Sequence, residues 1–190
     1  TNEYFADGVA EELLNVLSKI SGLRVASHTS AFSFKGGKIE IATVAQKLNV
    51  ATILEGSVRK AGNRVRIAVQ LVQVASDSTL WSKTYDRELN DIFAVQDDIA
   101  QSVVKELRSS LLGERRDISA RAAVQAEVRA AAIGRGENTE AYRLYLQGRA
   151  MVARRTQHSV TTGIEHLRQA VGLDPEYALA WAALSYAQTI

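Results

Sequence analysis

The residues best suited to nucleophilic chemistry lie together in the run Ser27-His28-Thr29-Ser30. A hydroxyl beside an imidazole is the pairing that activates a serine nucleophile. The surrounding sequence, however, has no G-x-S-x-G turn and no strand-turn-helix elbow that would hold such a nucleophile. We therefore interpret these hydroxyls as groups that cap a helix or bond the backbone of a loop.

A second run, Gly36-Gly37-Lys38, ends like a phosphate-binding loop. The loop requires an earlier glycine, but Phe32 stands at that position, and Ile39 stands where a Ser or Thr would bind Mg²⁺. A surface turn is the better interpretation.

Neither the histidines nor the adjacent aspartates form a metal or catalytic set. His158 is predicted in a turn and His166 on a helix, so two ligands on one helical face are missing. Asp97 and Asp98 are neighbours, and neighbouring helical positions point about 100° apart. Cysteine is absent, which excludes a thiolate ligand or nucleophile. The sequence predicts no catalytic residue, no cofactor and no metal, and hence no enzyme activity within these residues.

Positive charge gathers around one predicted hairpin, at Arg59, Lys60, Arg64 and Arg66. A basic β-ribbon can follow nucleic-acid phosphates, but no aromatic residue is available there for stacking on bases. The net charge is only +2 over 190 residues. Because Arg and Lys also protect strands from aggregation, we expect a solvated strand and no nucleic-acid partner.

Glu55 lies in a strongly apolar segment of the same hairpin. If its carboxylate is buried, it requires a partner such as Arg66 or Arg87. We interpret it as half of an ion pair that sets the register of a sheet, rather than as an active-site carboxylate.

The stretch from Ala51 to Leu89 organises the chain. Apolar residues alternate with Arg66, Ala68 and Gln70 in the middle of this stretch, which is the pattern of a strand with one buried face. Turn residues at 61–63 and 75–78 separate this strand from its neighbours. The pattern predicts three antiparallel strands joined by hairpins.

Helices are predicted to pack on this sheet. Asp7 is predicted to cap the first helix, which Gly22 ends. Leu23 to Ser27 alternates as a short strand, and 28–38 is expected to be irregular. The fold class is therefore an α/β (α+β) domain with a mixed or antiparallel sheet and packed helices.

Two more amphipathic helices follow the same logic. Ile41, Val44 and Leu48 share one face of a helix before the sheet, and Asn90 is predicted to cap a helix after it. We place the end of this α/β domain at residue 112.

The composition changes after this domain. Residues 113–138 are rich in Ala, Arg and Glu and are predicted to form a linker or a solvent-exposed helix. Residues 139–190 return to a helical pattern. Thr1 is not an initiator Met and Ile190 lies within an apolar run, so we expect the chain to be part of a longer protein. No apolar run approaches the roughly 18 residues that cross a bilayer, which predicts no membrane contact.

Residues 1–112 resemble the TolB amino-terminal-like (FlgO-like) α/β domain. The motif positions that we single out are Asp7, Gly8, Glu55, Gly56, Ser57, Arg66, Trp81, Tyr85 and Asp86. They lie in blocks that follow one another in the family's order, from Tyr4-Phe5-Ala6-Asp7-Gly8 to the run 91–97. In this family a hydrophobic strand normally precedes the first block. Its absence here implies an exposed sheet edge that could pair with another chain.

Residues 139–190 resemble tetratricopeptide repeats. Gly148 and Pro175 match positions of one repeat, and Trp181 matches the first helix of the next. Gly148 lies three residues too early, which implies a lengthened turn around 154–158. Such repeats usually bind protein partners on the surface that they stack to form.

The two resemblances together imply a function. The TolB-like domain occurs beside bacterial class III adenylate cyclase domains, transmembrane winged-helix regulators and protein kinases. We expect a non-catalytic regulatory or protein-interaction segment of a larger signalling protein, with an adenylate cyclase as the leading parent. The alternatives are a small-ligand sensor and the effector region of a transmembrane transcriptional regulator.

The same resemblances imply partners and a location. Protein partners are expected on the helical repeats, and self-association is expected through the strand edge or the incomplete repeat. A cytoplasmic location is expected, or a periplasmic one if a membrane span precedes these residues in the parent.

Overall fold

A computed structural model describes residues 3–37, 39–112 and 118–190. Lys38 of the glycine-rich turn and residues 113–117 of the predicted linker lie outside these ranges. The helices are α1 (Glu3–Ser18), α2 (His28–Phe32), α3 (Ile41–Leu48), α4 (Ile92–Leu112), α5 (Ile118–Ala131), α6 (Thr139–Val152), α7 (Gln157–Leu173) and α8 (Ala178–Ala187). The strands are β1 (Thr52–Ala61), β2 (Arg64–Gln73) and β3 (Ser78–Glu88), with 3₁₀ turns at Val74–Ser76 and Leu89–Asp91.

The three strands form an antiparallel sheet in the order β1-β2-β3, so the predicted meander and the α/β fold class are confirmed. Gly62 adopts a φ of 56° in the first hairpin and Asp77 a φ of 45° in the second connection. Glycine takes this left-handed conformation without steric cost, and Asp is among the few other residues that tolerate it.

The central strand separates a buried face from an open one. Val65 and Ile67 are each 1% exposed, and Val69 and Leu71 are also buried. The intervening Arg66 is exposed. This confirms the period-two pattern, which places the core on the side of the sheet where α1 and α4 pack.

The predicted short strand at Leu23 to Ser27 is wrong. This segment has no regular secondary structure and pairs with none of the three strands in the described sheet. A strand requires hydrogen bonds between its backbone groups and those of a neighbouring strand. Arg24 instead forms its bond through the side chain, since its guanidinium donates to the Asn49 carbonyl oxygen at 3.0 Å. The segment expected to be irregular contains the short helix α2, whose N-cap is Ser27.

Two predicted helix caps are also wrong. Helix α1 begins at Glu3, so Asp7 lies inside it. There the Lys35 ammonium pairs with Asp7 at 2.7 Å and with Glu3 at 2.6 Å. Asn90 lies within a 3₁₀ turn, and α4 begins at Ile92.

The segment predicted as a linker contains α5, which packs on α4 and α1. Small apolar side chains carry this contact, since Val124, Val128 and Ala131 are buried. Beyond it, α6 and α7 form a helical hairpin. The domain boundaries at 112 and 138 stay predictions.

The helical hairpin has a close crossing. A Cβ built on Gly148 would lie 2.9 Å from the Gly163 carbonyl oxygen and 2.7 Å from Leu167 Cγ. A Cβ on Gly163 would in turn lie 2.8 Å from the Gly148 carbonyl oxygen. Both positions therefore require glycine for the two backbones to approach so closely.

Candidate functional site

Helix α1 contacts helix α6 at Gly8. A Cβ at this position would lie 2.3 Å from Leu146 Cδ2, so the missing side chain is what lets α6 sit against α1. Phe5, one turn earlier, is fully buried and meets Tyr142 edge-on, with 6.3 Å between ring centroids. The amino-terminal helix and the helical hairpin thus share one core.

Charged and polar side chains surround this contact, and we call the set the junction. Arg149 Nη1 pairs with Glu11 Oε2 at 2.5 Å, joining α6 to α1. Arg135 Nη1 pairs with Asp97 Oδ1 at 2.7 Å, joining the segment before α6 to α4. The junction consists of Glu11, Glu12, Gln96, Asp97, Arg135, Tyr142, Tyr145, Arg149 and Tyr177.

Ion pairs and hydrogen bonds also connect helix α5 to its neighbours. Arg108 pairs with Glu127 at 2.7 Å, and the backbone N–H of Ser21 donates to Glu127 Oε1 at 2.8 Å. Lys19 Nζ donates to the Ala131 carbonyl oxygen at 2.9 Å. These contacts hold α5 against the elements on either side of it.

Glu12 is the buried charge of the junction. Its side chain lies on the apolar face of α1, one turn from Val9 and Val16, and only 3% of the residue is exposed. Within the described part of the chain its carboxyl forms no hydrogen bond. Burial raises the pKa of Glu12 to about 7, although the charge of Arg135 opposes that rise. Glu12 therefore changes charge near neutral pH, inside a packed interface.

Three tyrosines line the same interior. Tyr142 accepts a hydrogen bond from Gln96 Nε2 at 3.1 Å, and Tyr145 lies 4.9 Å from Tyr177 between ring centroids. Burial raises the pKa of Tyr142 and of Tyr177 well above the usual tyrosine range, so both remain neutral at ordinary pH.

Several buried polar atoms of the junction have no hydrogen-bond partner among the described residues. They are Tyr177 Oη, Gln96 Oε1 and Arg135 Nε. Unsatisfied buried polar atoms cost stability, so the junction is a polar site inside an apolar core rather than ordinary core packing. Chemically, it can orient α6 on α1 and take up one proton. It presents no activated nucleophile.

The motif residues of the sheet lie on all three strands. Glu55, Gly56 and Ser57 are on β1 and Arg66 is on β2. The expected partners of Glu55 are wrong: its carboxylate is half-buried and accepts from Gln70 Nε2 at 2.5 Å. In the register of the two strands, Gln70 of β2 stands directly opposite Glu55, whereas Arg66 stands opposite Arg59.

The motif residues of β3 bond to other elements. The Tyr85 hydroxyl donates to Asp98 Oδ2 at 2.7 Å, which ties the strand to α4. Asp86 pairs with Arg64 across the sheet at 2.6 Å. Trp81 is half-buried against the core. Each of these three residues of β3 therefore forms a contact that stabilises the fold.

The remaining motif residues lie in the helical part. Gly148 forms the close crossing with α7. The Pro175 carbonyl oxygen accepts a hydrogen bond from Trp181 Nε1 at 2.9 Å, which fixes the turn before α8. Gly8, by contrast, lies on α1 and contacts Leu146 of α6.

The junction was missed by sequence reasoning. The bonded pair Glu11 and Arg149 is separated by 138 residues, and no local pattern connects the members of the junction. One signal was present in α1: Glu12 follows Val9 by three positions and therefore shares its face. A carboxylate on an apolar face indicates a buried titratable group.

The open face of the sheet carries a shallow depression of about 640 Å³. Small and polar side chains line it because the strands alternate between core and solvent. The lining residues are Glu55, Gly56, Ser57, Ala68, Val69, Gln70, Ser82, Lys83 and Thr84. Hydroxyl, amide and charged groups therefore converge on a surface that no described element covers.

Neither a metal-binding cluster nor a membrane span is found among the residues of the described ranges. No three His, Asp or Glu side chains there come together as a set that could hold a metal ion. None of the helices that the structure describes is long and apolar enough to cross a membrane.

Comparison with known proteins matches the chain to part of a longer relative. No protein-family model matches the chain. The chain is 37% identical, over 183 residues, to Putative adenylate cyclase 3 of Rhizobium meliloti (strain 1021). The alignment covers 96% of this chain and 29% of that relative. The chain therefore spans less than a third of the length of the curated relative it matches.

Proposed function

We propose that this chain is a non-catalytic regulatory and protein-interaction segment of a larger bacterial signalling protein, an adenylate cyclase. The observation that carries this proposal is the alignment itself: 96% of the chain matches only 29% of a relative named as an adenylate cyclase. Most of that relative lies outside the matched region and has room for a catalytic domain. A cytoplasmic location is part of the proposal.

In this proposal residues 1–112 are a TolB amino-terminal-like domain and 139–190 begin a tetratricopeptide array. The helical part supports the second assignment. Helices α6 and α7 form a hairpin with small residues at their crossing, and Trp181 on α8 lies just after Pro175. The starts of α6 and α8, at Thr139 and Ala178, are somewhat further apart than the 34 residues of the usual repeat. The turn around Arg155, which has a φ of 53°, accommodates the additional residues.

The proposed partner surface is the exposed side of the last helices. Trp181 is 49% exposed and Tyr186 is 53% exposed on α8, and Leu173 at the end of α7 is 47% exposed. Aromatic residues of this kind are enriched at the energetic centre of protein interfaces. Recognition on a helical surface is the mechanism that tetratricopeptide arrays use.

The junction supports a regulatory role. Glu11 binds Arg149 and Asp97 binds Arg135. The helical surface therefore has a defined orientation relative to the sheet. A partner that binds α8 therefore acts on an element connected to the rest of the segment through buried contacts. Regulation would pass through this connection.

Site-specific photo-crosslinking in cells tests the interaction claim. A photoreactive amino acid at position 181 or 186 is expected to capture a specific protein, whereas the exposed Arg168 position on α7 serves as the matched control. The captured protein is then purified, and Trp181→Ala is expected to weaken its binding roughly tenfold or more. Equal crosslinking from all three positions, or unchanged binding by Trp181→Ala, would contradict the proposal.

A small-ligand sensor is the second candidate, and the depression on the open sheet face favours it. Its volume of about 640 Å³ lies within the range of small-molecule sites. Thermal-shift screening against nucleotides and metabolites distinguishes the two functions. A saturable rise in Tm that Ser57→Trp removes would support the sensor, and a flat screen would support the protein-interaction segment.

A further inference from the structure

Strand β1 forms one edge of the sheet and has an unpaired outer side. It pairs with β2 along its whole length, from Thr52 to Ala61. Among the described residues, Leu54, Gly56 and Val58 form no other backbone hydrogen bond. The second half of the strand is solvent-accessible, since Gly56, Ser57 and Arg59 are exposed. An unpaired edge along a strand of ten residues is an effective template for another strand.

The hairpin determines which backbone groups point outward. Ala61 and Arg64 flank a two-residue turn, so they form the hydrogen-bonded pair that closes it. Hydrogen-bonded pairs then recur at every second residue. Odd-numbered positions of β1 therefore bond to β2, and the N–H and C=O groups of Leu54, Gly56, Val58 and Lys60 point away from the sheet.

The side chains of β1 alternate independently of its edges. Leu54 and Val58 pack against the core. The odd-numbered Glu55, Ser57 and Arg59 consequently share the open face. On this face the negative Glu55 lies two positions before Ser57, and the positive Arg59 lies two positions after it.

We propose that β1 pairs antiparallel with β1 of a second copy of this chain, with the two-fold axis at Ser57. In this register the outward backbone groups of Gly56 bond to those of Val58 in the second copy. Glu55 then stands opposite Arg59 of the second copy, and the symmetry repeats this pair. Both charge pairs fall at non-hydrogen-bonded positions, where opposing side chains are closest.

Charge complementarity selects this register over its neighbours. An axis at Glu55 or Arg59 would bring two like charges together. An axis at Gly56 would place Glu55 opposite Ser57, and an axis at Val58 would place it opposite Ala61. Only the axis at Ser57 pairs both charges of each copy.

The other sheet edge is less suited to pairing. On β3, Lys83 is bonded to Asp98 at 2.7 Å and Asp86 to Arg64 at 2.6 Å. These charges are already neutralised within the chain. The Arg59 side chain, by contrast, forms no ion pair or hydrogen bond with any described residue, so its charge is available to a second copy.

Sedimentation velocity with charge-reversal variants tests the pairing. Wild-type protein is expected to dimerise reversibly as its concentration rises. Glu55→Arg places two positive charges opposite each other, and Arg59→Glu places two negative charges opposite each other. Each variant alone is therefore expected to have a dimer Kd at least about tenfold higher than that of the wild type. Arg168→Glu, an exposed charge reversal on α7, is the matched control and leaves dissociation unchanged.

The decisive sample is an equimolar mixture of Glu55→Arg and Arg59→Glu. In the mixed pair both positions again oppose unlike charges, so dimers are expected to return. Circular dichroism of each variant verifies that it is folded. A wild-type monomer at all concentrations, or a mixture that stays as dissociated as the separate variants, would overturn the proposal.

Discussion

Glu12 shows how one side chain can make the contact between two parts of a chain depend on pH. It is 3% exposed, and the charges of Arg135, Glu11, Arg149 and Lys19 act on it. A buried carboxylate without a hydrogen bond is costly when charged and tolerated when neutral. The junction is therefore most stable when Glu12 carries its proton.

This asymmetry predicts the pH dependence of folding stability. The pKa of Glu12 is raised from 4.5 to about 7 in the folded protein, so its stabilising contribution is full below pH 4.5 and is lost as the pH rises through 7. The difference corresponds to roughly 3 kcal/mol. Glu12→Gln removes the buried charge and is expected to raise the free energy of unfolding at pH 8 by up to this amount.

Urea unfolding at pH 5 and pH 8 checks this expectation. The gain from Glu12→Gln over wild type should shrink at the lower pH, because wild-type Glu12 is then protonated. Glu165→Gln, an exposed change on α7, is the matched control and should show no such trend. The same gain from Glu12→Gln at both pH values would show that Glu12 does not titrate in the interface.

At the scale of elements, glycines set how closely helices approach. Gly148 and Gly172 lie in the same hairpin but have opposite surroundings. A Cβ at Gly148 would lie 2.7 Å from Leu167, whereas one at Gly172 would have nothing within 4 Å. The same substitution thus has opposite consequences at the two positions.

Gly148→Ala is expected to destabilise the protein by about 1–3 kcal/mol through overpacking. Gly172→Ala, its matched control, is expected to stabilise by up to about 1 kcal/mol, because Gly is the poorer helix former. Thermal unfolding of the two variants measures this difference. Equal Tm values would mean that α6 and α7 do not cross at Gly148.

The sequence predicts elements better than the contacts between them. Alternation in β2 and the apolar stripe of α4 have local periods, and both the sheet and this helix are as expected. The segment 23–27 alternates too, but a strand also requires a neighbour, which periodicity cannot supply. Glu55 shows the same limit, since its partner Gln70 follows from the register of the hairpin rather than from charge.

The junction could not be predicted for the same reason. Arg149 and Glu11 are brought together only when α6 packs on α1. Gly8 was identified as a motif residue, yet its role as the point of contact depends on Leu146, far along the chain. Tertiary contacts of this kind leave no spacing in the sequence.

At the scale of the whole molecule, the sheet and the helical hairpin share one hydrophobic core. Buried residues from β2 through α8 belong to a single cluster. The described part of the chain should therefore unfold as one cooperative unit. The two tryptophans report on it conveniently, because Trp81 lies on β3 and Trp181 on α8.

Single-tryptophan variants check this cooperativity. Trp181→Phe leaves a reporter in the sheet and Trp81→Phe leaves one in the helical part. Fluorescence and circular dichroism of each variant should give coincident urea midpoints. Two separated midpoints within one variant would show that the predicted domains unfold independently.

If catalysis in the parent protein lies outside this segment, the purified chain has no cyclase or ATPase activity, and incubation with ATP and Mg²⁺ or Mn²⁺ measures this. Formation of cyclic AMP and release of phosphate are measured against a buffer control. No turnover above that control is expected. ATP turnover by the chain that a point substitution within residues 1–190 abolishes, with the circular dichroism spectrum unchanged, would contradict it.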